Sequence, residues 1–135
     1  MKIQASAEDY LESILVLSQK KGKVRSVDIA QHKGFAKPTV SIIMKQFREN
    51  GYIELDKDRN ISLTEKGAVI AKNTYERHML LANFLMEIGV DEETAYADAC
   101  KIEHNISEAS FEKLKIFYQH YSEPVFNNRN AEWEG

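Results

Sequence analysis

Two groups of side chains of the kind that bind metals stand at helical spacing in this sequence of 135 residues. Asp9 and Glu12 are three positions apart, so both carboxylates fall on one face of a predicted helix. Cys100, Glu103 and His104 lie at positions i, i+3 and i+4, again on one face. Carboxylate, imidazole and thiolate together are ligands for first-row divalent cations such as Fe(II), Mn(II), Co(II) and Zn(II).

Each of these residues also has an ordinary structural explanation. His78 lies late in a long predicted helix and could add an imidazole, but beside Arg77 it could equally be a surface residue. A lone cysteine is more often a small core residue, and acidic residues at a helix start are favoured by the helix dipole. Glu103 and His104 could be a solvated pair. Spacing alone does not show that the helices converge, so both explanations stay open.

The elements that would position these residues follow from the apolar periodicity and the Gly, Pro and Ser breaks. Three helices precede two short β-type runs, and three more helices follow. This order is that of a winged helix–turn–helix, and the fold class predicted is mainly α. The predicted ranges are 6–20, 26–34 and 37–49 for the first helices, 52–55 and 60–63 for the hairpin, and 64–86, 91–105 and 107 onwards for the rest.

The third predicted helix would enter the major groove of DNA, and the hairpin tip would contact an adjacent groove or phosphate. Short polar side chains can reach phosphates or base edges, while Lys and Arg displace counterions. The alternative is that these are solvated charges on a small helical domain. The candidate DNA-binding residues are Lys37, Pro38, Thr39, Ser41, Ile42, Lys45 and Arg48 on the helix, with Lys57 and Arg59 at the tip.

The net charge of −3 conceals a division along the chain. Residues 1–80 contain 14 Lys and Arg against 10 Asp and Glu, a net +4, whereas residues 81–135 contain 4 against 11, a net −7. Such asymmetry predicts a first part that attracts polyanions and a second part that attracts cations or a partner.

Several classes of protein are excluded by pattern. No stretch approaches 18 apolar residues, no signal-peptide pattern is present, and one cysteine cannot form a disulfide framework. We therefore expect a soluble cytoplasmic protein with no membrane partner. No nucleophile–base motif, phosphate loop or dinucleotide fingerprint is found. We expect neither an enzyme nor an organic cofactor.

Five short motifs, in this order of elements, resemble the diphtheria-toxin-repressor family of metal-dependent transcriptional regulators, which includes the iron regulators DtxR and IdeR and the manganese regulator MntR. The likeness covers about residues 5–122 and implies a winged-helix DNA-binding domain at 1–73, followed by a helical dimerisation and metal-binding domain. The asparagine-rich residues after Pro124 predict a loosely ordered tail at 124–135, so the second domain is placed at 74–123. It resembles the two-domain form without an SH3-like domain. The motifs are Glu8-Asp9-Tyr10-Leu11-Glu12, Pro38-Thr39-Val40-Ser41, Leu63-Thr64-Glu65-Lys66-Gly67, Arg77-His78 and Ala99-Cys100-Lys101-Ile102-Glu103-His104.

The metal ligands that this resemblance implies are Asp9, Glu12, His78, Cys100, Glu103 and His104. Asp9 and Glu12 match the manganese branch, whereas Cys100 matches the iron branch. Ala82 and Tyr96 stand where the iron branch has ligands of an ancillary site. A thiolate favours softer cations than Mn(II). We therefore expect Fe(II) first and Mn(II) second, with Co(II), Ni(II), Zn(II) or Cd(II) binding in vitro.

The function implied is a homodimeric repressor that binds a palindromic double-stranded operator and controls iron or manganese homeostasis. A dimer is also expected because a chain this short has an apolar face on its last helices to bury, unless the first helix and the winged-helix domain cover that face. One alternative is a winged-helix regulator that responds to a non-metal ligand, and a less favoured one is a small di-metal protein. The apolar face comprises Phe111, Leu114, Phe117, Tyr118 and Tyr121.

Overall fold

A computed structural model describes the backbone of residues 5–133 and the side chains of residues 7–120. The chain divides into two compact units, Met1–Tyr75 and Glu76–Gly135. The division falls inside the fourth helix. The elements of the chain are α1 Ala5–Lys21, α2 Ser26–Lys33, α3 Lys37–Glu49, β1 Ile53–Leu55, β2 Ile61–Leu63, α4 Glu65–Glu87, α5 Glu92–Glu103 and α6 Glu108–Trp133.

The first unit packs α1, α2, α3 and the hairpin around one apolar core. Tyr10, Leu11 and Ile14 come from α1, and they share this core with one face of α3. Because α1 and α3 bury their apolar faces in the same cluster, their positions within the unit are linked. The α3 face consists of Val40, Met44 and Phe47.

The start of α2 is held by a carboxylate at its third position. Asp28 accepts a hydrogen bond from the backbone N–H of Arg25 at 2.8 Å and another from Lys21 Nζ at 2.6 Å. These two bonds, the lysine first, hold the pKa of Asp28 below its ordinary value. The helix ends at Gly34, whose φ of 74° is the left-handed conformation common after a helix.

The hairpin pairs β1 and β2 antiparallel, with Ile53 opposite Leu63. Its tip is fixed by Asp56, whose side chain accepts bonds from the backbone N–H groups of Asp58 and Asn60, each at 2.8 Å. These bonds and one from the Asn60 side chain lower the pKa of Asp56. The tip also places Arg59 at a φ of 66°, which is uncommon outside glycine.

The turn from the hairpin into α4 explains part of the Leu63-Thr64-Glu65-Lys66-Gly67 motif. Thr64 Oγ1 donates to the Gly51 carbonyl at 2.6 Å and accepts from the Gly67 N–H at 3.2 Å. A Cβ on Gly67 would lie 2.1 Å from the carbonyl oxygen of Tyr52, so only glycine fits this approach.

The second unit contains the rest of α4 with α5 and α6. Asp91 caps α5 by accepting a bond from the Thr94 N–H at 3.0 Å, and Ser107 accepts one from the Ser110 N–H at 3.1 Å before α6. An ion pair of 2.5 Å between Glu76 and Lys115 joins α4 to α6. The Glu76 carboxylate raises the pKa of Lys115.

The expected apolar face of the last helices is only partly exposed. Phe111 and Tyr118 are buried with Leu80 in the unit's own core, because α4 offers an apolar surface that α6 covers. Phe117 is 56% exposed, and its neighbour Ile116 is 58% exposed. The side chain of Tyr121, also in the expected face, lies outside the described residues.

Beyond residue 123 the backbone of α6 continues through Trp133. Pro124, where the predicted tail begins, lies within this helix although proline lacks the backbone donor. The boundary at 123 is therefore not the boundary of a helix, while a loosely ordered tail at 124–135 stays a prediction.

The predicted fold class is confirmed. A winged helix–turn–helix with a two-stranded sheet precedes a unit whose described elements are all helices, in the predicted order of elements. Within the described residues, no helix has the length and apolar character needed to span a membrane.

Candidate metal centre and nucleic-acid interface

The second unit brings four of the predicted ligands together on α4 and the end of α5. Cys100 and Glu103 lie on α5, and His104 is the residue that caps its C-terminus. The Cys100 Sγ, a Glu103 carboxylate oxygen and a His104 ring nitrogen lie within 4.8 Å of one another. Ligands that share one ion at about 2.0–2.3 Å are at most about 4.6 Å apart. These side chains therefore fit around a single cation after small rotamer changes.

The Glu103 carboxylate is the centre of this cluster. Its Oε1 lies 3.5 Å from His104 Nε2 and 3.9 Å from His78 Nδ1, which comes from α4. The Glu103 residue is only 2% exposed, and burying a carboxylate is costly unless positive charge compensates it. The Glu103 carboxylate thus lies near two imidazoles, and with the Cys100 thiol these groups are of the types that suit a borderline divalent cation.

Two neighbours of the cluster were not predicted as site residues. Arg77 donates from a guanidinium nitrogen to the Glu103 backbone carbonyl at 3.3 Å, and its guanidinium lies 5.2 Å from the Phe111 ring centroid. This contact satisfies a carbonyl at the end of α5, where helical carbonyls have no partner in the helix. Tyr96 packs edge-on against the His78 ring, with centroids 5.6 Å apart. The Arg77-His78 pair was the only sequence signal for either contact.

The ancillary site of the iron branch lacks donors at the two positions considered. Ala82 is fully buried and carries no ligand atom, and Tyr96 is engaged with His78. That this version of a second site is doubtful stays a prediction from these two residue types.

Asp9 and Glu12 belong to the first unit, on α1. They are one helical turn apart, as predicted, with Asp9 half-buried and Glu12 only 7% exposed. Their neighbours Tyr10 and Leu11 are core residues of that unit. Both carboxylates are therefore anchored to the winged helix by the packing of α1.

The predicted DNA-binding residues are all exposed, as a contact surface requires. On α3 they lie outside the buried face, which is formed by Val40, Met44 and Phe47. Lys57 and Arg59 are exposed at the hairpin tip, whose shape Asp56 fixes. The exposed residues on α3 are Lys37, Pro38, Thr39, Ser41, Ile42, Lys45 and Arg48.

A winged-helix unit joined to a helical unit with a Cys/Glu/His cluster defines the class of metal-responsive transcriptional regulators. Comparison with known proteins gives the family. Residues 2–61 match the model described as the iron-dependent repressor N-terminal DNA-binding domain, and residues 64–125 match that of the metal-binding and dimerisation domain. The chain belongs to the iron-dependent repressor family, the metal-dependent repressors related to diphtheria toxin repressor.

Individual relatives agree with this assignment. The chain is 37% identical over 112 residues to the transcriptional regulator MntR of Escherichia coli O6:H1, covering 83% of this chain and 72% of that protein. It is 37% identical over 118 residues to the HTH-type transcriptional regulator MntR of Bacillus subtilis, covering 87% and 83%. These relatives are named as regulators, which confirms the expectation that the chain is not an enzyme.

A solved structure with a similar fold is that of the manganese regulator SloR. It aligns with a TM-score of 0.75 and 29% identity, covering 88% of this chain and 55% of that one. The chain thus spans about half the length of this solved relative.

Proposed function

We propose that this chain is a metal-activated repressor that binds a palindromic operator as a homodimer and controls iron or manganese homeostasis. The observation that carries the proposal is the cluster of Cys100, Glu103 and His104 in the unit that matches a metal-binding domain. The same chain presents an exposed recognition helix in the unit that matches a DNA-binding domain. One chain would therefore combine a metal-binding site with a DNA-binding surface.

The proposed ligands come from both units. His78, Cys100, Glu103 and His104 would hold the ion in the second unit, with Asp9 and Glu12 completing the site from α1. A bound divalent cation would supply positive charge and a fixed ligand geometry. Support comes from the helical spacing of the α1 pair and from the low exposure of Glu12, since a shielded carboxylate needs compensating charge.

Activation would act through α1. Its residues Tyr10, Leu11 and Ile14 share a core with the buried face of α3. Carboxylates that tie α1 to the second unit would therefore restrain the recognition helix as well. In a dimer this would set the spacing of two recognition helices to match two half-sites. The metal can raise operator affinity only as far as it binds more tightly when α1 is tied to the second unit than when α1 is not.

The second copy would pack on α6. Phe117 and Ile116 are exposed there, and the matched domain is described as a dimerisation domain. Exposed aromatic and aliphatic side chains adjacent on one helix are typical of a surface that a partner covers.

Cys100 would set the choice of metal, with Fe(II) preferred to Mn(II). Mn(II) has the lowest affinity in the first-row series and needs oxygen ligands with few soft competitors. A thiolate favours Fe(II), while the two α1 carboxylates keep Mn(II) as second choice. Manganese is the metal in the description of the SloR structure, and Co(II), Ni(II), Zn(II) and Cd(II) are expected to bind in vitro.

The test is an anaerobic titration of one protein sample with Fe(II) and with Mn(II), read out as DNA binding. The probes are duplexes that the metal-loaded protein selects from a random-sequence library. We expect selection of a palindrome, loss of binding in chelator, and half-maximal binding at a lower free concentration of Fe(II). Binding that is the same with chelator and with either metal would overturn the proposal. Activation at lower free Mn(II) would reverse the metal order alone.

The contribution of α1 is tested by Asp9→Asn with Glu12→Gln. These near-isosteric changes remove the charges and preserve the shape of α1. The variant should still bind metal through the second unit, yet its operator affinity should no longer rise with metal. Glu8→Gln on the same helix is the matched control and should behave as wild type. A double variant with unchanged activation would show that α1 does not bridge the units.

A further inference from the structure

The solvent-facing side of the recognition helix carries an apolar side chain at Ile42. Ile42 is 60% exposed, whereas Val40, Met44 and Phe47 of the same helix are buried in the core. At 100° per residue it lies opposite the stripe formed by Val40, Met44 and Phe47. When this face of the helix packs on the protein core and the opposite face enters a groove, Ile42 lies on the side that enters the groove.

The side chains around Ile42 are different in kind. Residues one turn away, at i±3 and i±4, are Pro38, Thr39, Lys45 and Gln46, and all four are exposed. Three of them offer hydrogen-bonding groups or charge to phosphates and base edges, whereas Ile42 offers only methyl and methylene groups. An isolated exposed isoleucine is unremarkable on a general surface, but at the centre of a recognition face it determines what can lie against it.

We propose that Ile42 is a specificity-determining residue that contacts the 5-methyl group of a thymine in each operator half-site. In the major groove this methyl is the one apolar group on a base edge, and aliphatic side chains pack against it. Cytosine has no methyl at this carbon and presents a polar amino group nearby, so an isoleucine at this depth favours T over C. The inference rests on the proposed function, because it requires α3 to bind operator DNA.

Deoxyuridine provides a direct test, since it removes only the methyl and keeps the base pairing and the O4 acceptor. Each thymine of a duplex selected by the metal-loaded full chain is replaced singly by deoxyuridine. At one position in each half-site, we expect wild-type affinity to fall about threefold to fivefold, the effect of one buried methyl group. Ile42→Ala should bind the thymine duplex more weakly and show no further loss with deoxyuridine there.

Controls separate this contact from effects on folding. Ile42 is exposed, so Ile42→Ala should keep the wild-type unfolding temperature. Val69→Ala alters a comparably exposed aliphatic residue outside α3, 55% exposed on α4, and should keep the full sensitivity to deoxyuridine. Metal-dependent binding without a sensitive thymine, or sensitivity that persists in Ile42→Ala, would overturn this inference and leave the proposed function standing. Failure to select any duplex would overturn both.

Discussion

Cys100 is the residue at which the chemistry of the site is most easily changed, because it provides the only soft donor in the cluster. Removing the thiolate leaves carboxylate and imidazole donors, whose relative preference for Fe(II) over Mn(II) is smaller. Loss of a group that merely supports a ligand typically costs 10–100-fold in metal affinity, so Cys100→Ala should weaken Fe(II) binding by at least about tenfold. The Mn(II) affinity should fall less.

The measurement is anaerobic competition of each metal against a chelating dye. Lys101→Ala, an exposed neighbour on α5, is the matched control and should leave both affinities unchanged. If Cys100→Ala kept the wild-type affinities and the same order of metals, the thiolate would not be a ligand.

The sequence could predict that two metal-site residues lie close together only where they are close along the chain. Cys100, Glu103 and His104 share a helical turn, so spacing alone indicated that they are close. The approach of His78 to Glu103 joins α4 to α5 and depends on how those helices pack. No local pattern encodes that packing, and only the family resemblance suggested it. The contact of Arg77 with the Glu103 carbonyl was missed for the same reason.

Among the elements, α2 is the shortest helix described and depends most on its cap. Asp28 has its pKa lowered by Lys21 and the Arg25 N–H, so its ionised form stabilises the folded state. This stabilisation is full above the ordinary pKa, about 4, and is lost as pH falls through the lower folded-state pKa. Asp28→Asn should therefore reduce the free energy of unfolding by about 1 kcal/mol at pH 7.

Urea unfolding of wild type and Asp28→Asn at pH 7 and near pH 3 measures this effect. The difference should shrink at the lower pH, because the wild-type carboxyl loses its charge there. Asp58→Asn changes an exposed carboxylate at the hairpin tip and serves as the control. An equal difference between wild type and Asp28→Asn at both pH values would contradict the role of the ionised carboxylate.

Element boundaries were predictable where a cap or breaker marks them. Asp91, Ser107 and Gly34 lie at helix ends as their residue types indicate. The sequence was less informative about α6, since an apolar face does not reveal what covers it. Phe111 and Tyr118 were expected to face a partner but are buried inside the unit, and Phe117 alone of the described aromatic residues in that face is largely exposed.

For the molecule as a whole, the uneven charge now has a structural counterpart. The first unit presents Lys and Arg on α3 and the hairpin tip, and the second concentrates carboxylates with the Cys/His donors. The overall −3 is therefore no argument against DNA binding. The first unit also contains Asp9 and Glu12, the residues through which we propose that metal binding acts on the recognition helix.

Thermodynamic linkage tests this account most directly. If metal binding strengthens operator binding, operator DNA must strengthen metal binding by the same factor, typically about 5- to 150-fold. The measurement is the anaerobic Fe(II) binding isotherm of the full chain, without DNA and with a saturating duplex selected by the metal-loaded protein. We predict that the duplex lowers the dissociation constant of Fe(II). The factor should equal the one by which Fe(II) lowers the dissociation constant of the duplex. Coincident isotherms would contradict the account.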